Sequence, residues 1–201
     1  MKLLWMRLVK KTDRDKVASI IYVADCQSPN GAYTTELQSD TTGYTYFKQV
    51  YSFRKDSFIQ VIHNRGRDTA QQHQPVSPET VYALRSHEFM SIVLELNKRF
   101  TNFKFADTLP AGKGRGFQLL AKDELGHESW LTIDSATSLI KEIRFPNPDN
   151  NSEIISTAFS SWKKVNEFNF PHHIEFTQAG RTYTFDIRTL KMNDPGFKQI
   201  D

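Results

Sequence analysis

The segment "FPHHIEFTQAGRTYTFDIRTLKM", Phe170 to Met192, contains two runs of strand length separated by Ala179-Gly180-Arg181. Side chains alternate across a β-strand, so Ile174 and Phe176 share one face of the first run. Tyr183, Phe185 and Ile187 share one face of the second, and Thr182, Thr184, Asp186 and Arg188 point the other way. A hairpin with one apolar face and one wet face follows. Adjacent His172 and His173 therefore point to opposite sides and cannot hold one metal ion together. His172 lies with Ile174 and Phe176 and is expected to be partly buried, whereas His173 lies with Glu175 and Thr177 toward water. Pro171 starts the strand, where its missing N–H does least harm.

The same alternation recurs in "YTYFKQVYSF" (44–53), "SFIQVIHN" (57–64), "FQLLAK" (117–122), "ESWLTID" (128–134), "LIKEIRF" (139–145) and "SEIISTAFSSW" (152–162). Short turn signals separate several of them, such as Arg54-Lys55-Asp56 and Asp123-Glu124-Leu125-Gly126. These features predict an antiparallel meander of about seven to ten strands. In 44–53 both faces carry large side chains: Tyr44, Tyr46 and Val50 on one, Phe47, Tyr51 and Phe53 on the other. Both sides are therefore covered or border a cavity. With 15 Phe, 7 Tyr and 3 Trp, a thick core and a ligand cavity are both open readings.

Two segments read as helical. Thr12 with Asp15 resembles a capped start, and Val17, Ile20, Ile21 and Ala24 fall on one stripe, predicting a helix over 12–24. Ser77, Pro78 and Glu79 start a second that ends at Lys98 and Arg99, predicting a helix or helix pair over 77–100 with a possible break near Ser86. Its half from Phe89 to Leu96 is apolar on more than one face and should lie against the sheet.

The 201 residues are consistent with one domain, 1–201. A net charge of +3 spread along the chain does not point to nucleic acid. Cys26 is the single cysteine, which excludes an internal disulfide and favours a buried small side chain over a reactive thiol. The opening "MKLLWMRLVKK" is too short in its apolar part for a signal peptide, and no run approaches the ~20 apolar residues of a membrane helix. His63, His73, His87 and His127 lack metal-ligand spacing. "AGKGRG" (111–116) lacks the Lys-Ser/Thr ending of a phosphate loop and precedes a strand, so a loop is expected. Asp123, Glu124 and Glu128 cluster at a hairpin turn as solvated charge, and no serine sits in a Gly-x-Ser-x-Gly elbow. Neither a metal nor a cofactor is expected. An enzyme is not the preferred reading, although catalytic groups can converge from distant positions.

"WLTIDSATSLIKEIRF" (130–145), "STAFSSWKKVNEFNFPHHIEF" (156–176) and "GRTYTFDIRTLKMN" (180–193) together resemble the C-terminal half of LolA-like proteins, the superfamily of periplasmic lipoprotein carriers. Trp130 to Asp134, then Trp162, Val165, Phe168, Phe170 and Pro171, then Asn193 stand at the family's motif positions. Glu167 stands where the family has a glycine, and the secretion signal expected of the family is not read in "MKLLWMRLVKK". The resemblance spans about 12–195 and is specific only from about 115. It implies a mainly β (α+β) fold: a curved antiparallel half-barrel capped by helices. It also implies a monomeric carrier in the periplasm or cell envelope, holding an apolar ligand or lipidated protein between sheet and lid. Phe53, Phe89, Leu94, Trp130 and Phe185 are the expected lining. The alternatives are an enzyme or a structural envelope protein with a filled groove, and a cytoplasmic location.

Overall fold

A computed structural model describes residues 16–64, 66–68, 75–108, 116–147 and 150–200. The first residues of the expected N-terminal helix, His73 and most of "AGKGRG" lie outside them. The strands are β1 (Ser19–Ser28), β2 (Gly31–Asp40), β3 (Thr45–Tyr51), β4 (Ser57–His63), β5 (Arg67–Asp68), β6 (Thr101–Thr108), β7 (Gly116–Lys122), β8 (Glu128–Asp134), β9 (Ile140–Asn147), β10 (Asn150–Ser160), β11 (Lys163–Val165), β12 (Phe168–Phe170), β13 (His173–Gln178) and β14 (Arg181–Met192). Among the described residues, three short helices, α1 (Pro78–Arg85), α2 (Phe89–Leu94) and α3 (Leu96–Arg99), lie between β5 and β6.

Twelve of the strands form one sheet in the order β5-β4-β3-β2-β1-β14-β13-β10-β9-β8-β7-β6, and β11-β12 form a separate hairpin. Two meanders are thus joined where β1 pairs antiparallel with β14. Asn193 fastens this junction. Its Oδ1 accepts from the N–H groups of Ala18 (2.7 Å) and Ser19 (3.3 Å), and its Nδ2 donates to the Lys16 carbonyl at 2.6 Å. Register shifts at Val23/Ala24 and Thr132/Ile133 mark irregularities of the bulge type, which bend a sheet.

The sequence expectation fails over the described part of residues 12–24, because Ser19 to Ala24 lie in β1 rather than in a helix. Ile20, Tyr22, Ala24 and Cys26 are all buried, a period of two that the 3.6-residue stripe also partly fits. The β-branched and aromatic content of "SIIYV" decides the competition. The strand count exceeds expectation for related reasons: β6 carries mostly exposed residues and so has no alternating signal.

Side chains of one sheet face form the core. Tyr22, Leu37 and Phe47 stand opposite one another across β1, β2 and β3, and Leu119, Leu131 and Ile143 do so across β7, β8 and β9. Phe89, Met90, Ile92 and Leu94 of α2 join the same cluster. The expected helix over 77–100 is broken as anticipated near Ser86. Ser77 Oγ accepts from the Thr80 N–H at 3.2 Å to start α1, and the Ser86 hydroxyl and the His87 ring both bond the Ala83 carbonyl, at 2.6 and 2.9 Å.

The opposite face of 44–53 is covered by the C-terminal segment at Tyr44 and Tyr46, while Val50 at its far end is exposed. Phe197 packs edge-on against Tyr44 with centroids 5.8 Å apart, beside Tyr46 and Val61. The Ile200 N–H donates to the Tyr44 hydroxyl at 3.1 Å. At the departure from the family motif, Asn166 takes the left-handed conformation (φ 53°) in the β11–β12 turn, and Glu167 pairs with Lys16 at 3.5 Å.

Candidate functional site

The helices are bolted to the sheet by buried polar groups. Tyr22 Oη donates to the His87 carbonyl at 2.6 Å, and the hydroxyls of Ser39 and Ser91 lie 3.1 Å apart. Thr45 Oγ1 donates to Glu88, which also accepts from Arg99. Arg99 in turn donates to the Arg85 carbonyl at 3.1 Å, and Arg85 pairs with Glu124 at 2.9 Å. Tyr82 Oη donates to Asp123 at 2.9 Å. Burial alone would raise the Glu88 carboxyl, but Arg99, Arg85 and the Thr45 hydroxyl hold it below its ordinary range. Side chains of α2 fill most of the space beneath the helices, since Phe89 and Met90 are essentially inaccessible and the pocket left there, between Tyr82, Ile92, Phe100, Ile143 and Phe145, measures only about 30 Å³.

Beside the helices, the same sheet face opens into a groove of about 320 Å³ whose lining includes Tyr33, Tyr51, Phe53, His87, Phe176, Tyr183 and Phe185. Cross-strand pairing builds it: Tyr33 stands opposite Tyr51, and Tyr183 opposite Phe176. The Tyr33 ring lies 5.8 Å from Tyr51 and meets Phe185 edge-on at 6.2 Å. The rim is polar, with Ser28, Asn30, Gln49, Arg54 and Gln178. Arg54 lies 3.7 Å over the Tyr51 ring and pairs with Asp56 at 2.9 Å. Gly31 (φ 131°) lets Phe53 lie close, for a Cβ there would meet the Phe53 ring at 2.9 Å.

His87 forms part of the groove wall at the α1–α2 junction. Its ring packs against Phe47, Phe89, Phe176 and Phe185 at 5.4, 5.9, 4.9 and 6.1 Å. Because a carbonyl only accepts, the contact with Ala83 O puts the proton on Nδ1 and makes Nε2 the ring's acceptor. Burial lowers the imidazole's basicity. The nearby titratable groups are Tyr22, whose hydroxyl burial pushes well up, and Glu88, occupied by Arg99.

A pH dependence of stability follows. The unfolded chain protonates His87 near 6.5 while the folded chain resists it, so this stability is full above that value and is lost as pH falls below it. Glu88 adds to the loss once pH falls through its depressed folded value, below the ordinary 4.5. His173 works oppositely: its bond to Asp186 at 2.7 Å raises its basicity, giving stability below 6.5 that disappears as pH rises through the raised value. His173 is 30 % exposed and solvent-screened, so His87 decides the sign. The urea midpoint is expected to fall on acidification from pH 6.5, and to fall less in His87→Phe.

Of the residues expected to line a groove, Phe53 and Phe185 are brought together. Phe185 is 1 % exposed and presents its edge, while Phe53 is 43 % exposed at the mouth. Phe89 lies behind Phe185 with centroids 5.0 Å apart, and Leu94 is buried in the core. Trp130 alternates with the buried Ser129 and Leu131 and so sits on the other sheet face, near Arg144 at 5.9 Å. Tyr33, Tyr183 and His87 were missed. For the tyrosines, period-two alternation held the signal, but it does not show which strands meet; for His87 there was none. His172 is half-buried with Nδ1 3.2 Å from the Phe170 carbonyl, and His173 faces Asp186 and Glu175. Cys26 is buried, its thiol pushed up to about 12 by desolvation.

A second cavity, about 390 Å³ beside the β6 bulge, is lined by Asn102, Phe103, Lys104, Leu120, Lys122 and Glu128 among others. It is larger but has one aromatic side chain, so the aromatic groove is the stronger candidate for an apolar ligand. No group of three metal-binding side chains occurs among the described residues, and no described helix is long and apolar enough to cross a membrane.

No family model matches the sequence, and no curated protein matches it. Solved structures do. A putative outer membrane lipoprotein-sorting protein domain from Vibrio parahaemolyticus is similar with a TM-score of 0.64 at 12% identity, over 98% of this chain and 93% of that one. A LolA superfamily protein from Nitrosomonas europaea gives 0.64 at 10% identity, over 94% and 93%. A DUF1329 family protein from Desulfovibrio piger gives 0.59 at 10% identity, over 98% and 94%. Identities this low speak for the fold alone, and together with the open antiparallel sheet and its helical cap they establish that this chain has the LolA-like fold.

Proposed function

We propose that the protein is a binding or carrier protein of the cell envelope that holds the apolar part of a lipid, acyl chain or lipidated protein in the aromatic groove. One observation carries this reading: the concave sheet face is packed beneath the helices yet remains open beside them, between Tyr51, Phe53, Phe176 and Tyr183. A volume of about 320 Å³ falls in the range of ligand pockets. Each methylene moved from water into it contributes about 0.8 kcal/mol, so a single chain binds measurably after its ordering cost. The envelope location is supported by the lipoprotein-sorting relative of the same fold. The ligand is held beside the helices, not under a lid that lifts, because buried charges fix α1 to α3 in place.

A filled-core structural protein is the second reading, favoured by Phe89, Met90 and Leu94 occupying the space under the helices. Native mass spectrometry of gently purified protein and binding of an environment-sensitive apolar dye separate the two. The expected result is added mass in the lipid range and saturable dye binding that acyl ligands reverse. Phe53→Asp should weaken dye binding about tenfold or more, since it removes a ring worth about 1.5 kcal/mol or more of burial. Folding should be preserved, because Phe53 is 43 % exposed. Folded protein that takes up neither dye nor lipid leaves only the second reading.

A further inference from the structure

The four phenylalanines around His87 give its ring an apolar setting. An imidazole there carries two ring nitrogens, and a polar atom in an apolar wall costs stability unless something bonds it. Nδ1 is accounted for by the Ala83 carbonyl at 2.9 Å, a bond that ends α1. That same bond fixes the tautomer and orients the ring, so Nε2 is an acceptor held on a rigid mount in the groove wall. The tyrosine hydroxyls of the groove can donate as well as accept, and the Gln49 carbonyl oxygen already accepts from the Tyr51 hydroxyl at 2.6 Å, whereas neutral Nε2 only accepts.

From this we infer that His87 Nε2 is the polar recognition point of the groove, and that the groove selects amphiphiles carrying an N–H or O–H donor next to their apolar chain over plain hydrocarbon chains. The inference rests on the groove being a ligand site and adds the chemical class of the ligand. Lowered basicity suits the role, since an imidazole that stays neutral keeps its acceptor. A ligand lacking the donor strips water from Nε2 without replacing it, and that unmet acceptor sets the selectivity.

The test displaces the bound dye with N-dodecylacetamide, a secondary amide with one N–H, and with its N-methyl tertiary counterpart, which has none. The added methyl makes the tertiary amide more apolar, so burial alone would favour it. The wild-type protein is expected to prefer the secondary amide by about tenfold, the size of one well-placed hydrogen bond to a buried acceptor. In His87→Phe the preference between the two amides should disappear, while His87→Gln, which keeps a carbonyl acceptor, should recover part of it. Equal displacement by both amides in the wild type, or an undiminished preference in His87→Phe, overturns the inference while leaving the groove as a binding site. Absence of dye binding overturns both. The wild-type comparison stands by itself if the variants fail to fold.

Discussion

Arg99→Met is expected to remove about 3 to 5 kcal/mol of stability, the cost of leaving a buried carboxylate without its partner. Arg99 is 6 % exposed, and its guanidinium serves Glu88, Glu95 (3.5 Å) and the Arg85 carbonyl (3.1 Å) at once. Without it, Glu88, itself 3 % exposed, keeps the Thr45 hydroxyl as its hydrogen-bond donor. Much of the loss belongs to the stranded charge, so Arg99→Met combined with Glu88→Leu should recover part of it. Urea unfolding of the two variants measures the difference. A single variant as stable as the wild type would mean that the Arg99 ion pairs do not hold the three helices together.

Phe89→Ala is expected to cost a similar amount, about 3 to 5 kcal/mol, because it empties a site with no solvent access. The ring contacts Tyr22 at 6.3 Å, Phe185 at 5.0 Å and Phe159 at 6.4 Å, joining α2 to strands on both sides of the β1–β14 junction. Thermal unfolding reads the loss directly. If Phe89 instead lined an open ligand groove, its removal would weaken dye binding and leave stability nearly unchanged. The pair of observables thus separates a packing role from a contact role at this residue.

The hairpin signals around β13 and β14 were legible because one face is wet: Tyr183, Phe185 and Ile187 alternate with residues that reach water. Aromatic surplus together with the family resemblance named Phe53 and Phe185 as lining, and both border the groove. Alternation misled at β1, where apolar residues on adjacent positions fit both a helical stripe and a strand buried on one face. It was silent at β6, whose exposed residues have no hydrophobic period. Trp130 was misplaced because aromatic size was read as a lining residue, while the neighbours Ser129 and Leu131 face the core. Small Ser129 gave no hint of that. The buried charges at Glu88, Glu95 and Arg99 could not be anticipated, since on a surface helix the same residues are solvated. Their burial is dictated by the sheet, which no local pattern reports.

Ligand is expected beside fixed helices, on the aromatic sheet face. A crystal structure of the protein with N-dodecylacetamide tests this most directly. The expected result is a chain of density among Tyr51, Phe53, Phe176 and Tyr183, the amide near His87, and Arg99 still paired with Glu88. Density beneath the helices, with α2 moved away from Phe185, would contradict it.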